Sequence, residues 1–160
     1  MSKRLVCYFS ATGSTAKLAK TLAAAAEAAL YEIRPAVAYE RKDLNWMNKK
    51  SRSTLEMQDP DCRPELQDRD APVGEAELLF LGFPIWWYRE PSLIDSFLDA
   101  YDFGGKTIVP FCTSGGSELG EGQERIERLA KGAKVLPGKR FGARAGEKEL
   151  RAWIAGLGLD

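Results

Sequence analysis

The sequence predicts an α/β fold in which a parallel sheet lies between two helical layers, a doubly wound three-layer sandwich. Three observations lead there. Short apolar runs alternate with amphipathic stretches along the chain. The runs are apolar throughout rather than at every second residue, which marks strands buried on both faces of a parallel sheet. Five such units fit into 160 residues, enough to bury about two-thirds of the unfolded surface without disulfides or metal. No internal repeat or linker divides the chain, so residues 1–160 read as one domain.

Leu5 to Phe9 is the first strand and Ser14 to Glu27 an Ala-rich helix with Leu18 and Leu22 four apart. Leu30 to Arg34 is a second, shorter strand. Leu78 to Phe83 is a nearly continuous apolar run stopped by Pro84. Pro91 opens the next helix as a first-turn proline, with Leu93, Ile94, Phe97, Leu98 and Tyr101 on its apolar face. Thr107 to Cys112 is a fourth strand. Leu119, Ile126 and Leu129 mark a helix that Gly132 can cap. Val135 to Phe141 is a weaker fifth strand, and Leu150, Trp153, Ile154 and Leu157 give the last helix its face. Two stretches resist the scheme. Pro110 falls inside the fourth strand, where a central position should exclude it, so an irregular point in the ladder is expected there. Tyr39 to Pro72 is long and polar, and a helix around Asp43 to Met57 would lack a clean apolar stripe; such segments often serve as lids or are partly mobile.

Composition removes several function classes. Lys plus Arg and Asp plus Glu number 23 each, so no net charge draws the chain to nucleic acid or an anionic membrane. No apolar run approaches the ~20 residues of a membrane span. The start, Met1-Ser2-Lys3-Arg4, leads straight into a strand and offers no clear cleavage site, which reads as a mature cytoplasmic N-terminus. Cys7, Cys62 and Cys112 are unclustered, as expected of reduced thiols, with Cys7 and Cys112 in the core. The chain has no histidine. Ser-His-Asp and Cys-His nucleophiles and His-ligated metals are thereby impossible, and any redox or group-transfer chemistry would fall to a bound cofactor.

Three loops carry the functional signal. Ser10-Ala11-Thr12-Gly13-Ser14-Thr15 joins the first strand to a helix N-terminus, whose free N–H groups and partial positive charge suit an anion. It has neither a Gly-Lys-Ser/Thr ending nor a G-x-G-x-x-G fingerprint, so a terminal monophosphate suits it better than a triphosphate or dinucleotide. Taken alone, it equally suits an ordinary Ser/Thr helix cap. Pro84-Ile85-Trp86-Trp87-Tyr88 with Arg89-Glu90-Pro91 places three adjacent aromatics between prolines. At least one should lie exposed on a rigid rim, suited either to stacking on a flat heteroaromatic ring or to covering the core. Thr113-Ser114-Gly115-Gly116-Ser117 lets backbone come close to a ligand, or simply turns the chain. All three leave the C-terminal ends of strands one, three and four, the edge where open α/β sheets bind ligands.

These loops carry a family resemblance. Tyr8-Phe9-Ser10-Ala11-Thr12-Gly13-Ser14-Thr15, Gly82-Phe83-Pro84-Ile85-Trp86-Trp87 and Gly105-Lys106-Thr107-Ile108-Val109-Pro110-Phe111-Cys112-Thr113-Ser114-Gly115-Gly116-Ser117 resemble the flavodoxin family, in its compact bacterial branch. Glu32-Ile33, Tyr39 and Arg63-Pro64-Glu65-Leu66 fit the same branch. The resemblance implies a flavodoxin-like five-stranded sheet in order 2-1-3-4-5 and non-covalent FMN. It assigns Ser10, Ala11, Thr12, Gly13, Ser14 and Thr15 to the phosphate loop. Pro84, Ile85, Trp86, Trp87 and Tyr88 then follow the ribityl chain and ring, with Trp86 or Trp87 stacked on the flavin. Thr113, Ser114, Gly115 and Gly116 come to the ring edge.

The implied role is electron transfer to a redox partner protein or a small-molecule acceptor. The alternatives are an FMN-dependent NAD(P)H reductase of quinones or similar molecules, and a flavin-free binding module on the same fold. Two departures bear on the choice. Tyr88 stands where relatives often carry a small residue, commonly Gly, and the chain lacks the acidity usual in electron carriers. Family members use a peptide flip in this loop to favour one-electron storage. With no Gly between Ile85 and Glu90, moving a residue to positive φ should cost about 1–2 kcal/mol. Arg89 is expected beside the ring as a positive charge. Both effects point to two-electron reduction.

Overall fold

The structure, a computed structural model, describes residues 3–114, 116–142 and 144–159. The chain runs β1 (Arg4–Tyr8), α1 (Ser14–Ala26), β2 (Ala29–Glu32), α2 (Arg52–Gln58), β3 (Leu78–Pro84) and α3 (Ser92–Ala100). It continues through β4 (Thr107–Thr113), α4 (Gly122–Leu129), β5 (Lys134–Val135), β6 (Lys139–Phe141) and α5 (Glu147–Gly156). All strand pairings are parallel. The order is β2-β1-β3-β4-β5, with β6 also paired to β4, so the expected 2-1-3-4-5 path is present.

Successive strand residues face opposite sides of a sheet, and here both sides are covered. Leu5, Cys7, Leu79, Leu81, Ile108 and Cys112 join one core with Phe97 of α3 and Ile126 of α4. Val6, Tyr8, Phe80, Val109 and Phe111 join the other with Leu18 and Leu22 of α1 and Leu150 of α5. This two-sided burial is why the strands read as continuous apolar runs. Gly82 is required by packing, because the Phe111 ring fills the space of its missing side chain and a Cβ there would sit 2.1 Å from a ring carbon. Cys7 and Cys112 are buried free thiols, as expected. Burial raises both, Cys112 to about 12, which keeps them protonated and unreactive.

The irregular point expected at Pro110 is present, and two other expectations need correction. Pro110 lies in an unbroken register with β3, opposite Leu81. The irregularity falls entirely on the other side of β4. Thr107 N–H donates to Glu77 and the Thr113 carbonyl accepts from Ile85, both toward β3, whereas the Ile108 carbonyl accepts from Leu136 toward β5. By the alternation of a parallel ladder, Pro110 shares the side of Ile108. Its missing N–H therefore faces the gap between β5 and β6. The fifth strand, expected as one run from Val135 to Phe141, is accordingly two short pieces around Leu136-Pro137-Gly138. Gly138 packs on Pro110 so closely that a Cβ would lie 2.8 Å from its carbonyl oxygen. The helix expected around Asp43 to Met57 is instead one turn of 3-10 helix at Arg41–Leu44, a series of turns, and the short α2. No apolar stripe spans that interval, so nothing would have buried a longer helix.

Candidate functional site

The Ser10–Thr15 loop leads from β1 into the start of α1. Gly13 occupies the cap position at φ +102, which disfavours any side chain there. Among the described residues no side chain caps α1, so the loop is not an ordinary Ser/Thr cap. The Ser10 hydroxyl instead accepts from Gly13 N–H at 3.1 Å and shapes the loop. Thr15 is buried, its hydroxyl 2.7 Å from that of Thr113, tying the first loop to the third. Thr12 and Ser14 line a cavity of about 610 Å³ together with Pro84, Thr113, Ser114, Arg140, Gly142 and Arg144. The two arginines come from β6 and the segment after it. Sequence reasoning missed them because their approach depends on the broken fifth strand. Arg140 also donates to the Ser114 carbonyl at 3.0 Å and braces the third loop. Gly116 N–H donates to the Ser114 hydroxyl at 3.3 Å, and Gly115 lies outside the described residues.

The second loop is a tight reversal. Trp86 N–H donates to the Arg89 carbonyl at 3.0 Å, and Arg89 N–H returns the bond at 3.2 Å. Trp87 and Tyr88 form the turn at φ +48 and +64, the two positive values of a type I′ turn that normally selects Asn-Gly. The positive-φ conformation that should have been costly to reach is thus already adopted. Glu121 N–H holds the Tyr88 carbonyl at 3.0 Å, and Gly120 makes room for it, since a Cβ there would lie 2.2 Å from that oxygen. Ala11 and Ile85 pack against the core. Trp86 packs edge-on against Phe9 and Tyr39, with ring centroids 5.6 and 5.4 Å away. Trp87 is 38% and Tyr88 71% exposed, which meets the expectation of an aromatic rim.

That rim borders a cleft of about 460 Å³ lined by Leu44, Trp46, Ser53, Ile85, Trp86, Trp87, Tyr88 and Ser117. Its far wall comes from the 39–72 segment, which sequence reasoning left without a role. Arg52 ties that segment together: its guanidinium lies 3.9 Å from the centre of the Tyr39 ring and pairs with Glu56 at 3.1 Å.

Arg89 does not project toward the rim. It is buried, donates to the Met57 carbonyl at 3.2 Å, and faces Asp95 at 3.6 Å and Glu90 at 3.9 Å. Arg125 closes the cluster at 2.9 Å from Glu90 and 2.6 Å from Asp95. Arg89 is therefore a buried guanidinium ion-paired with Asp95 beneath the turn rather than a free cation beside a ring. Burial, then the neighbouring Asp95 carboxyl, pushes Glu90 up to about 9 against the opposing pull of Arg125. Among the described residues, Glu90 Oε1 and Asp95 Oδ1 have no hydrogen-bond partner.

Fold and site together define a doubly wound α/β protein with a helix start, uncapped among the described residues, and an aromatic cleft on the same sheet edge. The flavodoxin family model matches residues 3–157, and the chain belongs to that family. It is similar to the crystal structure of a candidate flavoprotein from Bacteroides eggerthii, with 41% identity, a TM-score of 0.94 and coverage of 100% of both chains. A second candidate flavoprotein, from Bacteroides uniformis, shares 39% identity at a TM-score of 0.91, over 96% of this chain and 98% of that one. A flavoprotein from Lactobacillus acidophilus, solved in complex with FMN, has the same fold at 21% identity and a TM-score of 0.74, over 96% and 99% of the two chains. No curated protein sequence matches the chain.

Proposed function

We propose that this chain binds FMN non-covalently and transfers electrons through it to a partner protein or a small-molecule acceptor. The observation that carries the reading is the helix start at Gly13, uncapped among the described residues, facing a cavity lined by Thr12, Ser14, Arg140 and Arg144. A phosphate monoester suits it in charge and in donor count. Bound FMN would supply the electron-accepting ring. The chain's own residues would hold the phosphate, set the ring's place with the Trp87–Tyr88 turn, and exclude water with Trp86, Tyr39 and Phe9. The turn is preset at positive φ and Arg89 lies buried beneath it rather than beside the ring, and both features favour the carrier role.

A second reading, direct reduction of small aromatic acceptors with NAD(P)H as donor, is favoured by the open cleft and its exposed rim of Trp46 and Tyr88. Reconstitution with FMN and with riboflavin tests the cofactor; tighter binding of FMN is expected, and equal affinity would sink the phosphate assignment. Steady-state NAD(P)H oxidation by the loaded protein separates the roles. Slow turnover that rises only with an added redox protein supports the carrier, and fast turnover with quinones alone supports the reductase.

A further inference from the structure

We infer that Ser53, from the polar segment between β2 and β3, is a flavin-positioning residue whose hydroxyl hydrogen-bonds the heteroatom edge of the isoalloxazine ring. The inference rests on the FMN reading above. Ser53 is 1% exposed, and its hydroxyl has no hydrogen-bond partner among the described residues. Its neighbours do not share that state. The Ser51 and Thr54 hydroxyls lie 2.9 Å apart, and Thr54 also donates to the Asn48 carbonyl at 2.9 Å. An orphaned buried hydroxyl is costly, and native proteins satisfy nearly all of them. Ser53 lines the same cleft as Ile85, Trp86, Trp87 and Tyr88, so a polar edge seated in the cleft would lie against Ser53.

The hydroxyl is also held in place. Arg89 and the Ser92 hydroxyl donate to the Met57 and Glu56 carbonyls at the end of α2, both at 3.2 Å. The Tyr39 hydroxyl donates to Glu56 at 2.5 Å while its ring packs edge-on to Trp86. The wall carrying Ser53 is thereby bolted to the loop carrying the aromatic rim. The cleft around it is largely apolar, with Leu44, Trp46 and Ile85. A flat ring with apolar faces and a polar edge satisfies both the indoles and the single hydroxyl. An aliphatic occupant would leave the hydroxyl unpaired.

The test is Ser53→Ala in the full chain, measured with and without flavin. Titrated by fluorescence, the variant should bind FMN about five- to tenfold more weakly, as expected for one lost hydrogen bond. Riboflavin should weaken by the same factor, because the hydroxyl meets the ring and not the phosphate. The visible absorption bands of bound FMN should shift. Without flavin, the variant should melt about 2–4 °C higher, since an orphaned polar group has been removed. Unchanged affinity with unchanged bands overturns the inference. So does a loss confined to FMN, or a flavin-free variant that melts lower than wild type. Failure of the FMN reading is distinguishable, because the wild-type chain would then bind neither flavin, and both claims would fall.

Discussion

At the scale of single residues, the two neighbouring tryptophans have different surroundings and should answer differently to truncation. Trp86 is locked edge-on between Phe9 and Tyr39. Trp86→Ala should destabilise the protein by about 3 kcal/mol, the low end for a large aromatic because it is only partly buried, measured by urea unfolding. Trp87 sits at the turn with its ring partly exposed. Trp87→Ala should leave the fold intact, restore the emission of bound flavin and weaken binding by about 1–3 kcal/mol, by analogy with base stacking. Thr12→Val should weaken FMN by about 1.5–3 kcal/mol, the worth of a hydrogen bond to a charged group, and leave riboflavin unchanged in the same titration. Much of the candidate site was legible at this scale because hydroxyl, glycine and aromatic residues adjoin one another in each loop. Arg140, Arg144 and Ser53 were not. Each reaches its cavity from another element, and nothing in the spacing of Arg140 or Ser53 along the chain distinguishes it from a surface residue.

At the scale of elements, the Trp87–Tyr88 turn is maintained from outside. Gly120→Ala would place a Cβ against the Tyr88 carbonyl at a residue with φ +59. It should cost at least about 2 kcal/mol, from the left-handed backbone and the clash together, and should displace the spectrum of bound flavin. The cluster beneath the turn adds a pH dependence. A carboxyl whose pKa is raised by folding contributes stability that is complete below its unfolded value, 4.5, and is lost as pH rises through about 9. Stability measured by denaturant at pH 5, 7 and 9 should therefore contain a declining component that Glu90→Gln removes. An identical decline in the variant would show that Glu90 is ionised throughout. The strands were legible because parallel pairing buries both faces and leaves an unmistakable apolar run. The turn geometry was not, because a type I′ turn built from Trp and Tyr contradicts local preference and is supported from outside by Gly120 and Glu121, which are distant in sequence.

At the scale of the whole molecule, the sheet brings the anion cavity and the aromatic cleft to one edge, and a ligand spanning both should stabilise the entire fold. FMN at about a hundred times its dissociation constant adds about 2.7 kcal/mol, and thermal unfolding should move up by roughly 5–10 °C. Riboflavin at the same concentration should produce a smaller shift. Strand order was legible through family resemblance, and layer arrangement through hydrophobic pattern. The path of residues 39–72 was not, because it is fixed by particular contacts such as Arg52 with Tyr39 and Arg89 with Met57 rather than by any periodic burial.

The interrupted outer strand has a consequence for how the molecule behaves in a crowd. A long, flat border strand is a template on which another polypeptide can add itself and start an aggregate. Here that border is two fragments, of two and three residues, separated by Leu136-Pro137-Gly138. Lys134 and Lys139 lie along it, placing cations where an incoming chain would have to pair. The same break that lets Pro110 occupy an inner strand thus denies neighbouring molecules a continuous row of open backbone groups at this edge of the sheet, and so discourages polymerisation there.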